Sequence, residues 1–159
     1  TISPRPVQKE LPLWIGGSSE AAIRRTARIG TGWLAGLQTP IQVAPVVQGI
    51  KRALAEHGRT IDDDHYGAGF SYRFGHRDDE VVQRQAAGLS RLPGMTDPWS
   101  YIAVGGPDEI AARVREYLEA GISKFVLRPI AASDDELEAQ TLRFLQEVAP
   151  QFSAAPVAG

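Results

Sequence analysis

The sequence predicts an α/β fold in which parallel strands alternate with covering helices, as four strand–helix units plus one extra helix. Three observations carry this. Short, continuously apolar runs are bounded by glycine or proline, and each is followed by a segment of helical periodicity, the pattern of buried parallel strands crossed over by helices. The chain has 159 residues, whereas a full eight-unit barrel takes roughly 250, or about 30 per unit. Two architectures fit that length: an open doubly wound sheet, or half of a TIM (β/α) barrel.

Each element has a local reason. Thr1 to Glu10 is a polar, proline-bearing lead-in, and Leu11-Pro12-Leu13-Trp14-Ile15 is an apolar run broken by Gly16-Gly17-Ser18-Ser19, which predicts a strand ending in a tight turn. Ser18 or Ser19 caps a helix in which Ala22, Ile23, Thr26 and Ala27 share a face opposite Arg24, Arg25 and Arg28. Gly32 to Gly36 is a second buried strand, and Thr39-Pro40-Ile41-Gln42 is a capping box opening a helix whose stripe is Val43, Val46, Val47, Ile50 and Leu54. Pro45 conflicts with that helix, because an interior proline costs about 3 kcal/mol, so a restart or a kink is expected there.

From Tyr66 to Phe74, Phe70, Tyr72 and Phe74 alternate with smaller residues, the strand period. Asp78-Asp79-Glu80 opens a helix reaching about Leu89, Ser90 to Trp99 is a loop, and Gly106-Pro107-Asp108-Glu109 starts an amphipathic helix ending at Gly121. Ser123 to Leu127 is the last strand, Ser133-Asp134-Asp135-Glu136 is a further capping box, and Pro150 closes the helix behind it. The expected domain is 1–152, with 153–159 a disordered tail.

Composition excludes several functions. Seventeen Lys and Arg against nineteen Asp and Glu leave a formal charge of −2, with no basic block for a nucleic-acid backbone. A hydrophobic fraction of 43% supports a packed core. The absence of cysteine removes disulfides and thiolate sites, fits a reducing compartment, and with no apolar run of spanning length reads as a cytoplasmic protein that meets no membrane. A first residue other than Met suggests a processed or excised piece of a longer chain.

Leu11-Pro-Leu-Trp-Ile-Gly-Gly-Ser-Ser-Glu-Ala-Ala-Ile-Arg-Arg-Thr-Ala-Arg-Ile-Gly-Thr-Gly-Trp-Leu34 resembles a segment of the luciferase-like monooxygenase superfamily, in particular the branch that uses the deazaflavin coenzyme F-420. Gly105-Gly-Pro-Asp-Glu-Ile110 and Tyr117-Leu-Glu-Ala-Gly-Ile-Ser-Lys-Phe-Val-Leu-Arg-Pro-Ile130 are similar to a later segment of the same family. Thr31 and Gly106 depart from it, where Asp and Thr are usual. The resemblance implies that the four strands are the fifth to eighth of the family barrel. The missing amino-terminal half, a partner subunit or a second copy is then expected to close the barrel as an oligomer. It also implies an oxidoreductase or monooxygenase acting on a small molecule with F-420, or with FMN as the alternative. The other functional class is a non-catalytic binding or assembly half barrel.

The residues themselves offer two sites. Gly16, Gly17, Ser18 and Ser19 stand between a strand end and a helix start, where free N–H groups and the helix dipole suit an anion, or where a capped turn suffices. The resemblance places the coenzyme phosphate there. Arg128 follows the last strand, on the face where barrel active sites lie; it either meets an anionic coenzyme tail or substrate, or pairs with Asp134 or Asp135. Tyr72 is expected in the core, Trp14 and Trp33 as core anchors, and His57 as a helix-end cation. His65, His76 and Asp62-Asp63-Asp64 lack metal-ligand spacing, so no metal is expected, and the catalytic residues are left unassigned.

Overall fold

The computed structural model describes residues 7–152; the start of the lead-in and the tail expected at 153–159 lie outside them. Five strands and five helices alternate: β1 Trp14–Gly16, α1 Glu20–Ile29, β2 Gly32–Leu34, α2 Pro40–Glu56, β3 Tyr66–Phe74, α3 Glu80–Leu89, β4 Ile102–Gly105, α4 Pro107–Glu119, β5 Lys124–Pro129 and α5 Asp134–Glu147. Every pairing is parallel. None of the helices described is long and apolar enough to cross a membrane.

β3 organises the sheet. It pairs with β2 at Tyr66 and Gly67, with β4 from Ser71 to Phe74, and with β5 from Gly67 to Tyr72. Since β5 overlaps both other partners and a strand has two edges, β2 and β4 share one edge of β3, one below the other. The main path is therefore β1-β2-β3-β5, and β4 is an accessory strand on the edge that the three-residue β2 leaves free. This is the departure from the sequence reading: the extra helix, α4, arrives with a short strand of its own.

Side-chain alternation splits the sheet into two faces. One bears Trp33, Tyr66, Ala68, Phe70, Tyr72, Phe74 and Ala103, buried in one cluster with Val43, Val47 and Ile50 of α2 and Ile110, Val114 and Tyr117 of α4. The rings of Phe70 and Tyr117 stack at 5.5 Å, an arrangement that adds to the apolar area they bury. Tyr72 is core, as expected, with its hydroxyl on the Gln140 carbonyl at 3.3 Å. The buried Gln140 amide of α5 accepts from Phe74 N at 2.8 Å and donates to Phe74 O at 3.1 Å, which satisfies both main-chain groups of the last residue of β3.

The other face is built differently. Trp14 lies half-buried over Gly32 and Gly67, where a Cβ would meet its ring, and Leu34 also covers Gly67. Of the two tryptophans expected in the core, Trp33 is fully buried among the helices, while Trp14 floors this inner face. Higher up, Val82 and Ala86 of α3 form a separate small cluster with Ile102 and Ile130. Ile102 is register partner of Ser71, so α3 roofs the inner face at the carboxyl ends of the strands.

Caps fix the helix starts. Ser19 Oγ accepts from Ala22 N at 3.3 Å, Gln42 accepts from Thr39 N at 2.8 Å and Glu109 from Gly106 N at 2.8 Å. Ser133 caps α5 through Glu136 N at 3.2 Å, but the Glu136 carboxylate turns to Ala132 N and Arg73 instead of closing the box. Pro45 causes no break in α2. It is exposed, and the carbonyl it cannot bond belongs to Ile41, which is 87% exposed, leaving that carbonyl to water.

Candidate functional site

The β1–α1 turn combines three features. Gly17 has φ +95°, a conformation glycine adopts without steric cost. Its carbonyl accepts from the buried Trp33 indole N–H at 2.8 Å, so the core sets the orientation of the turn. The amides of Gly17, Ser18 and Ser19 have no hydrogen-bond partner among the described residues. All of Gly16 to Ser19 is exposed, and the only nearby carboxylate in the first turn, Glu20, is held by Arg24 at 3.3 Å. Free donors at the start of a ten-residue helix favour an anion. A phosphate fits this donor set.

Arg128 is elsewhere. Gly16 is level with Leu34, Leu34 with Gly67, and Gly67 with Lys124. Three inter-strand spacings of about 4.8 Å and four residues of about 3.3 Å place Arg128 about 14 Å across the sheet and about 13 Å along it from Gly16. One phosphate cannot touch both. Nor does Arg128 pair with Asp134 or Asp135: its guanidinium makes no salt bridge or hydrogen bond among the described residues.

The carboxylates near that end serve Arg73 instead. Its guanidinium reaches Asp79 at 2.8 Å, Glu136 at 2.6 Å and the Ile130 carbonyl at 2.8 Å, tying together the segments that follow β3 and β5. Arg73 holds both carboxyls below their ordinary range, chiefly through these hydrogen bonds. No local sequence pattern marks Arg73, because its two acidic partners are six and 63 positions away.

At the opposite end, Asp62, Asp64 and His65 come together, their ligand-type atoms within 4.8 Å of one another. His65 Nδ1 lies 2.8 Å from the Thr31 carbonyl and Lys124 Nζ 3.3 Å from Asp64. His57 ends α2 beside Gly58, exposed, as expected of a helix-end residue.

The model of the family described as luciferase-like monooxygenase matches residues 1–101. The chain belongs to the luciferase-like monooxygenase family. Among solved structures, an F-420-dependent secondary alcohol dehydrogenase in complex with an F-420–acetone adduct matches 92% of this chain and 50% of its own, at 14% identity and TM-score 0.72. Monooxygenase RslO1 from Streptomyces bottropensis matches 95% of this chain and 51% of its own, at 17% identity and TM-score 0.70. The oxygenating constituent of 3,6-diketocamphane monooxygenase from Pseudomonas putida, in complex with FMN, matches 89% and 49% at 15% identity and TM-score 0.63. The chain thus spans about half the length of these luciferase-like structures, and its parallel strand–helix units are those of a barrel fold.

Proposed function

We propose that this chain is the carboxyl-terminal half of an F-420- or flavin-dependent oxidoreductase, and that it contributes the turn that binds the coenzyme phosphate. The carrying observation is the set of three unpartnered amides at Gly17, Ser18 and Ser19, held in place by the Trp33 indole. Gly16 to Ser19 bind and orient the phosphate, and the bound coenzyme supplies hydride transfer or oxygen activation. Residues 1–152 act as one half-barrel domain, and the reaction takes place in the cytoplasm. Deazaflavin is preferred to FMN on the resemblance of residues 11–34.

A polypeptide that closes the barrel completes the enzyme. Among the described residues β1 pairs only with β2 and β5 only with β3, so each keeps an unpaired edge there, of the kind soluble proteins cover. We take the missing amino-terminal half as the occupant. A second copy would set another Lys124 and Arg128 against the same inner face. Sedimentation of the isolated 159-residue chain as a compact monomer at micromolar concentration would count against a covered edge.

The test is a titration of F-420 and of FMN into the assembled protein. Gly17→Val is a poor probe, since φ +95° strains any side chain. Gly16→Val is cleaner: a Cβ there meets only the Leu34 carbonyl, at 3.7 Å, yet it crowds a phosphate on the turn. Ser18 caps nothing, so Ser18→Ala removes a hydroxyl donor without the cap that Ser19 supplies. We expect Gly16→Val to abolish binding and Ser18→Ala to weaken it by about 1–2 kcal/mol. Unchanged affinity in a Gly16→Val protein of native circular dichroism would leave the segment a structural turn. Tight binding with no turnover of any hydride acceptor or donor would favour the non-catalytic module.

A further inference from the structure

The inner face carries a second polar site, separate from the turn. Ser71 and Arg128 are register partners on β3 and β5, hence about 4.8 Å apart along the backbone and on the same side of the sheet. They line an open cavity of about 440 Å³, together with Val81, Arg84 and Gln85 of α3 and Ile130. Ser71 is only 9% exposed. Its hydroxyl, the Gln85 amide and the Arg128 guanidinium have no hydrogen-bond partner among the described residues. The Ser71 hydroxyl is thus open to the cavity, where a group that enters can bond it.

The charge balance points one way. Arg73 engages both Asp79 and Glu136, and Glu80 is in an exposed pair with Arg84 at 3.5 Å. The cavity lining itself contains two arginines and no acidic residue. A planar guanidinium beside a hydroxyl and an amide matches a carboxylate or phosphate, which accepts from all three.

We propose that this cavity binds an anionic group, carboxylate or phosphate, of the substrate, with Arg128 as principal partner and Ser71 and Gln85 completing its hydrogen bonds. Assigning the anion to the substrate rests on the coenzyme phosphate lying at Gly16 to Ser19, because the two places are too far apart to share one phosphate.

The experiment uses the assembled protein and two probes. Inorganic phosphate, titrated by calorimetry, is expected to bind at two places. Arg128→Gln should remove one of them with a loss of roughly 10- to 100-fold, and Ser71→Ala should weaken the same one by roughly 2- to 10-fold. Arg128→Lys should recover part of that binding by restoring the charge. Arg128 is exposed and has no hydrogen bond or salt bridge among the described residues, so these variants are expected to fold as the parent does, which circular dichroism verifies. Phosphate binding that is unchanged in both Arg128→Gln and Ser71→Ala would overturn the site. The second probe is the coenzyme alone, whose affinity should stay within twofold in Arg128→Gln. A tenfold loss there would show that the cavity takes an acidic part of the coenzyme and would overturn the assignment to substrate. Gly16→Val separates the two readings: coenzyme binding that survives it sinks the phosphate turn, while the phosphate result at Arg128 stands by itself.

Discussion

The two faces of the sheet are made of opposite materials. The outer face places Trp33, Tyr66, Phe70 and Tyr72 at full burial beneath α2 and α4. The inner face, read across the same strands, places Gly32, Gly67, Gly69 and Ser71 beside Trp14, Leu34, Lys124, Val126 and Arg128. Val126 is 48% exposed and Leu34 39%. Burial of large apolar side chains is the main favourable term in folding, so stability resides outside. The inner face is left with glycines that give room, an Arg128 without a partner among the described residues and apolar groups awaiting cover, which is how a binding or docking surface is made.

This comparison can be broken by mutation. The largest effect belongs to Trp33→Ala, which removes a fully buried ring and the hydrogen bond to Gly17 O. A loss of about 3–5 kcal/mol is expected in denaturant unfolding. Val126→Ala, on the inner face of the isolated chain, should cost under about 1 kcal/mol, since half of that side chain is already in water. Equal losses would mean that the inner face also carries the fold.

Next in size is Gly69→Ala. A Cβ at Gly69 would collide with the Val126 main-chain carbonyl, so β3 and β5 must separate to admit it. A strained pair of this kind costs about 1–3 kcal/mol. Amide exchange should then rise along Gly67 to Tyr72 and Lys124 to Pro129, the paired residues, and not in α1 or α2. Exchange that rises only outside these strands would remove the close approach as the reason for glycine.

Much of the outer face was legible in the sequence. Strict alternation identified β3 to the residue, and the capping-box spacings at Thr39 and Ser133 with the proline at the start of α4 placed α2, α5 and α4, because local signals within four residues decide a helix start. The inner face was legible only in part. Trp14 and Trp33 look alike as aromatic residues in short strands, and only register shows that Trp14 is level with Gly32 while Trp33 faces the helices. β4 was missed because four residues carry little periodic signal and owe their strand state to the stretch of β3 edge beyond β2. The β1–α1 turn, proposed above to bind phosphate, was marked by its own glycines and serines. The pairing of Ser71 with Arg128 spans 57 positions, and no local pattern announces it.

Arg73 lies on the inner face at the carboxyl end of β3, and its prediction concerns pH. Asp79 and Glu136 titrate below their ordinary values of 3.8 and 4.5 because Arg73 bonds their charged forms. Folded-state values below the unfolded ones mean that the stabilisation is complete above about pH 5 and is lost as pH falls through the lowered values. The stability gap between the parent and Arg73→Gln should therefore be constant near neutrality and shrink in acid. A gap that persists unchanged to pH 3 would show that Arg73 acts by packing and by its bond to the Ile130 carbonyl, not by its ion pairs. At the alkaline end, Tyr117, pushed up to about 12 chiefly by burial, keeps its proton when folded, so stability should decline between about pH 10 and 12.

The smallest effect is expected at Arg128, and its smallness is informative. Arg73 and Arg128 lie one strand apart at the same end of the sheet, yet the first holds two carboxylates and the second none. A structural arginine costs stability when neutralised, whereas an exposed and unpaired one leaves it within about 0.5 kcal/mol. Arg128→Gln should therefore fall within that range, or rise slightly through relief of repulsion from Arg84 across the cavity. The measurement is the urea midpoint of the assembled protein, parent against variant, without ligand and then with 50-fold excess phosphate over its dissociation constant. Without ligand the midpoints should coincide; with phosphate the parent should gain more, because a ligand that binds only the folded state stabilises by RT ln(1 + [L]/Kd), about 2 kcal/mol at this excess. If Arg128→Gln is destabilised by as much as Arg73→Gln before any ligand is added, Arg128 belongs with the outer face's framework, and the contrast between a stabilising face and a binding face does not extend to the carboxyl end of β5.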